Sequence, residues 1–259
     1  MSDRIFNRHF FHQVLLSAGL WHQQRDRTRF ICMNKQIDSN AESLISQWTP
    51  FEAVTWIVLW QILMTGLSFA GAWLWIGHST STLGSAFLGN LAAAVVLVRW
   101  LKRRGAHWLV MLWGDGFPWR TSALAAVVGV FVAWFISLTG LGVPRVDVVI
   151  SAALSSPLQI ALLLMTVVVA APLMEEFLFR GLLQTASVAA WGPLVGGSIA
   201  AAGFVLLHSP NIWSAPWSVI PYLILSAIMT LTYELTRKSV GACAIIHSVY
   251  NLALLFWFV

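Results

Sequence analysis

The strongest constraint in this sequence is its series of long apolar stretches. Apolar residues make up 58% of the 259 residues and charged residues only 10%, whereas soluble domains carry about 25% charged residues. A helix that crosses a bilayer needs ~20 apolar residues. Seven stretches approach that length, and they are 51–77, 83–99, 121–143, 156–174, 188–208, 216–234 and 240–259. We therefore predict an all-α polytopic membrane protein, a bundle of about seven transmembrane helices with a range of six to eight.

These stretches divide the chain into three regions. Residues 1–50 are polar and basic and show no apolar core of a signal peptide, so we interpret them as an N-terminal tail. Residues 51–150 hold the N-terminal transmembrane helices, and residues 151–259 hold the segment with the most polar residues inside apolar stretches. Cys32 and Cys243 lie far apart and give neither a disulfide framework nor metal-ligand spacing.

Basic residues are distributed unevenly between the connections. They occur in the tail, in the connection around residues 99–120 and at Arg237-Lys238, whereas the opposite side holds only Arg145. The positive-inside rule then predicts a cytoplasmic N-terminus and a multi-pass protein of the cell membrane. Because the basic residues form short blocks between apolar stretches, they indicate orientation, and we expect no nucleic-acid partner.

The most informative motif is Glu-Glu-x-x-x-Arg at residues 175–180. A charged residue at the centre of a membrane helix costs about 2.5–3.5 kcal/mol on insertion scales. Glu176 and Arg180 are four residues apart, so they share a helix face and can pair. Glu175 points about 100° away and lacks that cation. A carboxylate without a cation in a low dielectric is a candidate general base; the alternative is a purely structural ion pair.

Two further polar motifs follow in apolar segments. His208 ends the sequence Phe204-x-x-x-His208, and His247 and Asn251 lie four residues apart on one face of the last stretch. Taken alone, His208 is typical of an interfacial histidine. The His247–Asn251 pair is compatible with an interhelical hydrogen-bond clamp as well as with a site.

Taken in order, these three motifs resemble the CPBP (Abi) family of intramembrane proteases, which includes the CAAX prenyl endopeptidases of the Rce type. The resemblance rests on Glu175, Glu176, Arg180, Phe204, His208, His247 and Asn251 and covers about residues 155–255. It implies an intramembrane endopeptidase in which Glu175 and His208 activate a water molecule. His247 and Asn251 would then stabilise the oxyanion, and Glu176, Arg180 and Phe204 would support them.

The expected partner is a membrane-associated protein or peptide substrate that can be lipidated, within the lipid bilayer. We expect no cofactor, with one open alternative: Glu175, His208 and His247 are the residue types of a Glu-His₂ zinc site. Two other function classes also stay open. A non-proteolytic membrane immunity or scaffold protein could keep the motifs, and a transporter would also bury ionisable groups.

Whether the motifs can meet depends on one turn. If the helix that carries Glu175 continues past Arg180 and reverses near Gly192-Pro193, Glu175 and His208 lie at nearly equal depth on the two sides of the turn. If each apolar stretch is instead a separate span, the two residues fall at opposite membrane faces.

Overall fold

The computed structural model describes residues 48–73, 78–105, 111–112, 119–139, 156–209 and 212–257. Within these residues the regular structure is helical, without a strand. Three helices lie in the N-terminal part: α1 (Pro50–Trp73), α2 (His78–Arg103) and α3 (Trp119–Thr139). The predicted tail lies outside the described residues except for its last three.

The C-terminal part begins with a long helical rod in which α-helical and π-helical segments alternate. It contains α4 (Pro157–Leu164), π1 (Met165–Ala170), α5 (Ala171–Glu176), π2 (Phe177–Gln184) and the start of α6 (Thr185–His208). Ser156 caps its beginning by accepting a hydrogen bond from the Gln159 amide. A 3₁₀ turn (Pro216–Val219) then leads into α7 (Ile220–Leu235), and α8 (Val240–Trp257) follows.

Gly192 breaks α6 into two antiparallel arms. Its φ of 81° and ψ of 168° lie outside the helical region, and Pro193 follows it. Glycine tolerates this conformation because it has no Cβ atom. The two arms approach so closely that a Cβ on Gly196 would clash with the backbone of Ser187. Residues 157–191 therefore form one arm of a hairpin and residues 193–208 the other.

Side chains hold both π-helical segments in place. The Thr185 hydroxyl donates to the carbonyl of Arg180, five residues earlier, and also bonds the Tyr233 hydroxyl at 2.9 Å. The Asn251 amide of α8 donates to the Val167 carbonyl within π1 at 2.8 Å. π-helical turns leave backbone groups without their usual partners and are frequent at functional sites. Here they flank the short α5 that carries Glu175 and Glu176.

The described helices confirm the predicted all-α membrane architecture. By length and composition, four helical segments could cross a membrane, and they are Pro50–Leu67, Leu83–Arg103, Pro157–His208 and Pro216–Leu235. Two shorter apolar helices are Trp119–Phe135 and Val240–Leu255. Because Gly192 divides the third segment into two arms, the described residues hold seven helical rods.

One predicted boundary is wrong. The stretch 156–174 was expected to end before Glu175, but the helix continues through Glu176, Arg180 and Gln184 as far as Gly192. A hydropathy profile ends the apolar stretch before Glu175, because it scores every charged side chain as if it were exposed to lipid. In the structure these side chains are buried inside the protein, where Arg180 donates to Glu176 and Gln184 donates to Glu234 of α7.

The two ends of the bundle differ in charge. Arg104 pairs with Glu52 at 2.7 Å, and the Ser239 hydroxyl before α8 donates to the Leu112 carbonyl. The first contact joins the end of α2 to the start of α1, and the second joins the α7–α8 turn to Leu112, which lies beside Leu97 and Val98 of α2. We call this end of the bundle the basic end. At the opposite end, which we call the apolar end after this cluster, Leu83 of α2, Leu163 of α4 and Leu255 of α8 pack together.

Candidate active site

The innermost part of the site is an ion-pair network around Glu176. One carboxylate oxygen, Oε2, accepts from Arg180 Nε at 3.0 Å, and the other, Oε1, lies 2.9 Å from His247 Nδ1. Both the Glu176 and Arg180 side chains are completely buried. The structure thus confirms that Glu176 and Arg180 pair, and it adds His247 as the second partner of Glu176.

Two hydroxyl groups of α7 complete the shell around Arg180. Its Nη1 donates to Thr230 Oγ1 and its Nη2 to Ser226 Oγ, each at 3.0 Å. The guanidinium carbon also lies 5.6 Å from the centroid of the Phe204 ring. A buried charge is stable only when its hydrogen-bonding groups are satisfied. Ser226 and Thr230 were not predicted as partners of Arg180 from the sequence. Their spacing was a usable signal, because two small hydroxyl residues four positions apart share one face of an apolar helix.

Glu175 lies between two histidines. Its Oε2 atom is 3.4 Å from His208 Nε2 and 3.8 Å from His247 Nε2. These three side chains come from α5, α6 and α8, so the site exists only when the hairpin and the last helix have packed together. Of the two alternatives left open by the sequence, the structure has the one with a turn: the arms reverse at Gly192, and Glu175 and His208 lie side by side.

His208 is held on three sides. Its Nδ1 lies 2.9 Å from the Phe204 carbonyl, and because a carbonyl only accepts, Nδ1 carries a proton. Its ring stacks on Phe204 with centroids 4.2 Å apart, and the Tyr222 ring lies 5.2 Å away on α7. The imidazole plane is therefore fixed, and Nε2 faces Glu175. Tyr222 was not among the predicted residues, since a tyrosine early in an apolar helix resembles an interfacial anchor.

Asn251 is oriented by the same helix that carries His247, one turn further on. Its Nδ2 group donates to the Val167 carbonyl, which uses one of its two N–H bonds. The structure therefore brings Glu175, Glu176, His208 and His247 into direct contact and places Asn251 next to π1. Phe204 lies at the centre, with its ring against Phe179, His208 and His247.

No group of three or more His, Cys, Asp or Glu side chains within the described ranges is arranged to hold a metal ion. Each of the two histidines has its Nδ1 already bonded to a protein oxygen. The bond at Nδ1 leaves Nε2 as the nitrogen that faces Glu175. Hydrogen bonds to the other ring nitrogen fix the orientation of histidines in many catalytic centres in the same way.

Comparison with known proteins identifies the part of the chain that holds the site. Residues 157–253 match the family model "Type II CAAX prenyl endopeptidase Rce1-like". Neither the comparison with curated proteins nor that with solved structures gave a match. The matched residues include α5, both hairpin arms, α7 and all of α8 up to Ala253, and they leave residues 1–156 outside. The segment that carries Glu175, Glu176, Arg180, His208, His247 and Asn251 is thus similar to the Rce1-like family of type II CAAX prenyl endopeptidases.

Proposed function

We propose that the protein is an intramembrane endopeptidase that hydrolyses a peptide bond with a water molecule activated by Glu175 and His208. The observation that carries this proposal is the position of Glu175 Oε2, 3.4 Å from His208 Nε2 and 3.8 Å from His247 Nε2, inside a bundle of apolar helices. The matched family model supports the reaction class, since it describes CAAX prenyl endopeptidases.

The first step is proton removal from water. With His208 Nδ1 donating to the Phe204 carbonyl, a neutral His208 ring presents a lone pair at Nε2 towards Glu175. Two acceptors that face each other favour a water molecule that donates to both. Glu175 takes one proton as the water oxygen attacks the carbonyl carbon of the substrate, and the same proton then passes to the leaving amine. The C–N bond breaks and a C–O bond forms, without a covalent enzyme intermediate.

The second requirement is a donor for the oxyanion. If His247 donates from Nδ1 to Glu176 and from Nε2 to the oxyanion, its ring must carry both protons and a positive charge. Glu176 balances that charge, and Arg180 in turn holds Glu176 in place. The second N–H of Asn251 is available for the same oxygen while the first holds Val167. Each donor of this kind contributes about 10²–10³ in rate.

The substrate class is a membrane-associated protein or peptide, and lipidation of that substrate fits the family description. The test is a comparison of membrane peptides from cells with the wild-type protein and cells with Glu175→Gln. We expect peptides that end at a new carboxylate only in the wild type. Equal peptide sets, together with an unchanged host phenotype, would instead favour the non-proteolytic immunity or scaffold function. Substrate movement across vesicles without cleavage would favour a transporter.

We propose that cleavage needs no metal ion. The contacts of His208 with Phe204 and of His247 with Glu176 already orient both rings towards Glu175. We therefore expect purified protein, dialysed against a strong chelator, to keep its full cleavage rate. The measurement is cleavage of a reconstituted substrate before and after chelation, with metal content determined in parallel. Loss of activity that returns with zinc, but not with magnesium, would assign Glu175, His208 and His247 as zinc ligands.

Tyr222 is expected to position His208 through its ring. Tyr222→Leu removes the ring that covers one face of the imidazole, so we expect kcat to fall about 10-fold, while Tyr222→Phe keeps the ring and stays within about threefold of wild type. Steady-state kinetics with the same substrate separate kcat from KM. A loss in KM alone, or equal losses in both variants, would contradict a role in positioning His208.

A further inference from the structure

We infer that a groove between α2 and the π1–α5 part of the rod binds one anionic phospholipid from the leaflet at the basic end of the bundle. One acyl chain occupies the groove, and the phosphate of the headgroup lies at Lys102 with Arg99 beside it. This lipid site is separate from the candidate active site, and it does not depend on the proposed function.

The first observation is an apolar groove of about 260 Å³. Leu91, Ala94 and Val98 of α2 line one wall, and Val169 and Leu173 of the rod line the facing wall. Leu91, Val169 and Leu173 are 52%, 48% and 37% exposed, so the groove is open on the side that lipid reaches. Protein interiors leave few voids larger than a water molecule, and apolar cavities stay dry and take apolar ligands. A hydrocarbon chain therefore suits this groove.

Asn90 is the single polar side chain among the lining residues of the groove, and it needs no partner from a ligand. Its Oδ1 accepts from Trp60 Nε1 at 3.1 Å, and its Nδ2 donates to the Ala86 carbonyl at 2.9 Å. The side chain is also buried. Because both atoms of this amide are bonded within the protein, the groove selects for an apolar occupant along its whole length.

The second observation is a group of basic side chains in line with the groove. Leu91 and Lys102 are eleven residues apart on α2, which is close to three full turns at 3.6 residues per turn, so both lie on the groove face. Lys102, Arg99 and Arg103 are exposed, and within the described ranges none of the three is paired with an acidic residue. Only Arg104 has such a partner there, in Glu52. The groove thus leads to cations without a counter-charge.

The length of the groove matches one leaflet. It follows α2 from Phe87 to Val98, which is about 16 Å at ~1.5 Å per residue and about half of a ~30 Å hydrocarbon core. Val98 and Leu112 line its end near the basic end, one turn before Lys102. A chain in the groove therefore places its headgroup at the level of Lys102, and basic pockets beside membrane helices bind anionic headgroups.

The groove lies behind the catalytic helix and not in the candidate active site. Met174 and Phe177 line it, whereas Glu175 faces His208 and His247 on the other side of the rod. None of the predicted catalytic residues is among the lining residues. A lipid in the groove therefore packs against the back of α5 and stays away from the reacting groups, which fits a resident lipid and not a substrate.

The first test is lipid binding to the delipidated full-length wild-type protein in detergent, measured by native mass spectrometry. The probes are phosphatidylglycerol, phosphatidylcholine with the same acyl chains, and glycerol phosphate as the headgroup alone. We expect one tightly bound phosphatidylglycerol per chain, binding of phosphatidylcholine that is weaker by about fivefold or more, and no retained glycerol phosphate. Equal binding of the two lipids would overturn the anionic site. Displacement of phosphatidylglycerol by a farnesylated peptide would instead assign the groove to a substrate.

The second test uses two variants with matched controls. Ala94→Phe places a ring in the groove and should weaken phosphatidylglycerol binding about tenfold or more, whereas Ala92→Phe, on an exposed position of α2 outside the groove, should bind as the wild type does. Lys102→Gln should weaken binding about fivefold, with Arg120→Gln on α3 as its control. Wild-type binding by a folded Ala94→Phe or Lys102→Gln protein would refute the site. Because the comparison of lipids uses the wild-type protein, it decides the question even where a variant fails to fold.

Discussion

Glu175→Gln is expected to lower the rate of substrate cleavage by about 10²–10⁴-fold, the contribution typical of a general base. The amide keeps the size of the side chain but cannot take a proton from water. The fold should be retained, because the partners of Glu175 are two imidazoles and not the guanidinium of Arg180. The measurement is single-turnover cleavage by purified protein in liposomes, together with the unfolding midpoint of each variant.

Glu52→Gln is the matched control for this change. Glu52 lies at the basic end, where its carboxylate pairs with Arg104 on the partly exposed surface. Exposed ion pairs contribute about 0–1 kcal/mol, so this variant should match the wild type in both cleavage and unfolding. A Glu175→Gln protein that cleaves within tenfold of the wild-type rate would remove Glu175 from the chemistry and refute the proposed mechanism.

Arg180→Met is expected to have the largest effect on stability. It leaves the completely buried Glu176 with only His247 as a charged partner and leaves Ser226 and Thr230 without their donor. Breaking a buried ion pair by removing one partner costs about 3–5 kcal/mol. Unfolding of the purified protein in mixed micelles of mild detergent and SDS should show this loss as a transition at much lower SDS.

The double variant Glu176→Gln/Arg180→Met separates charge from packing. It removes both charges of the pair and should recover most of the lost free energy of unfolding, because no uncompensated carboxylate remains. Cleavage should stay low, since His247 has lost its counter-charge. Equal stability of the single and double variants would show that the guanidinium acts through packing against Phe204 and α7 and not through its charge.

The membrane architecture could be predicted from the sequence because the length of the apolar stretches alone determines it. The pairing of Glu176 with Arg180 was also predictable, since residues four apart on a helix are neighbours whatever surrounds them. Glu175 and His208 could be placed at one depth only on the assumption of a turn at Gly192-Pro193. The conformational preferences of glycine and proline suggested that turn. The turn also brings Gly196 close to Ser187, where a residue with a Cβ would not fit.

Contacts between distant helices were beyond such reasoning. The bond between Glu176 and His247 joins residues 71 apart in sequence, and the bond between Asn251 and Val167 joins residues 84 apart. Both depend on how α8 packs against α5 and π1, which no local pattern specifies. The π-helical segment at Met165–Ala170 was missed for the same reason, because a tertiary hydrogen bond from Asn251 compensates the disturbed backbone there. In the second segment the compensating bond is local and runs from the Thr185 hydroxyl to the Arg180 carbonyl.

The wide separation of the site residues along the chain has a consequence for biogenesis. The hairpin that carries Glu175 and His208 is synthesised well before α8, which supplies His247. Chains grow from the N-terminus and insert as they emerge. A nascent chain that has inserted only as far as α7 holds the base without the oxyanion donor. Under the proposed mechanism, we therefore expect efficient hydrolysis to begin only when the later helix docks.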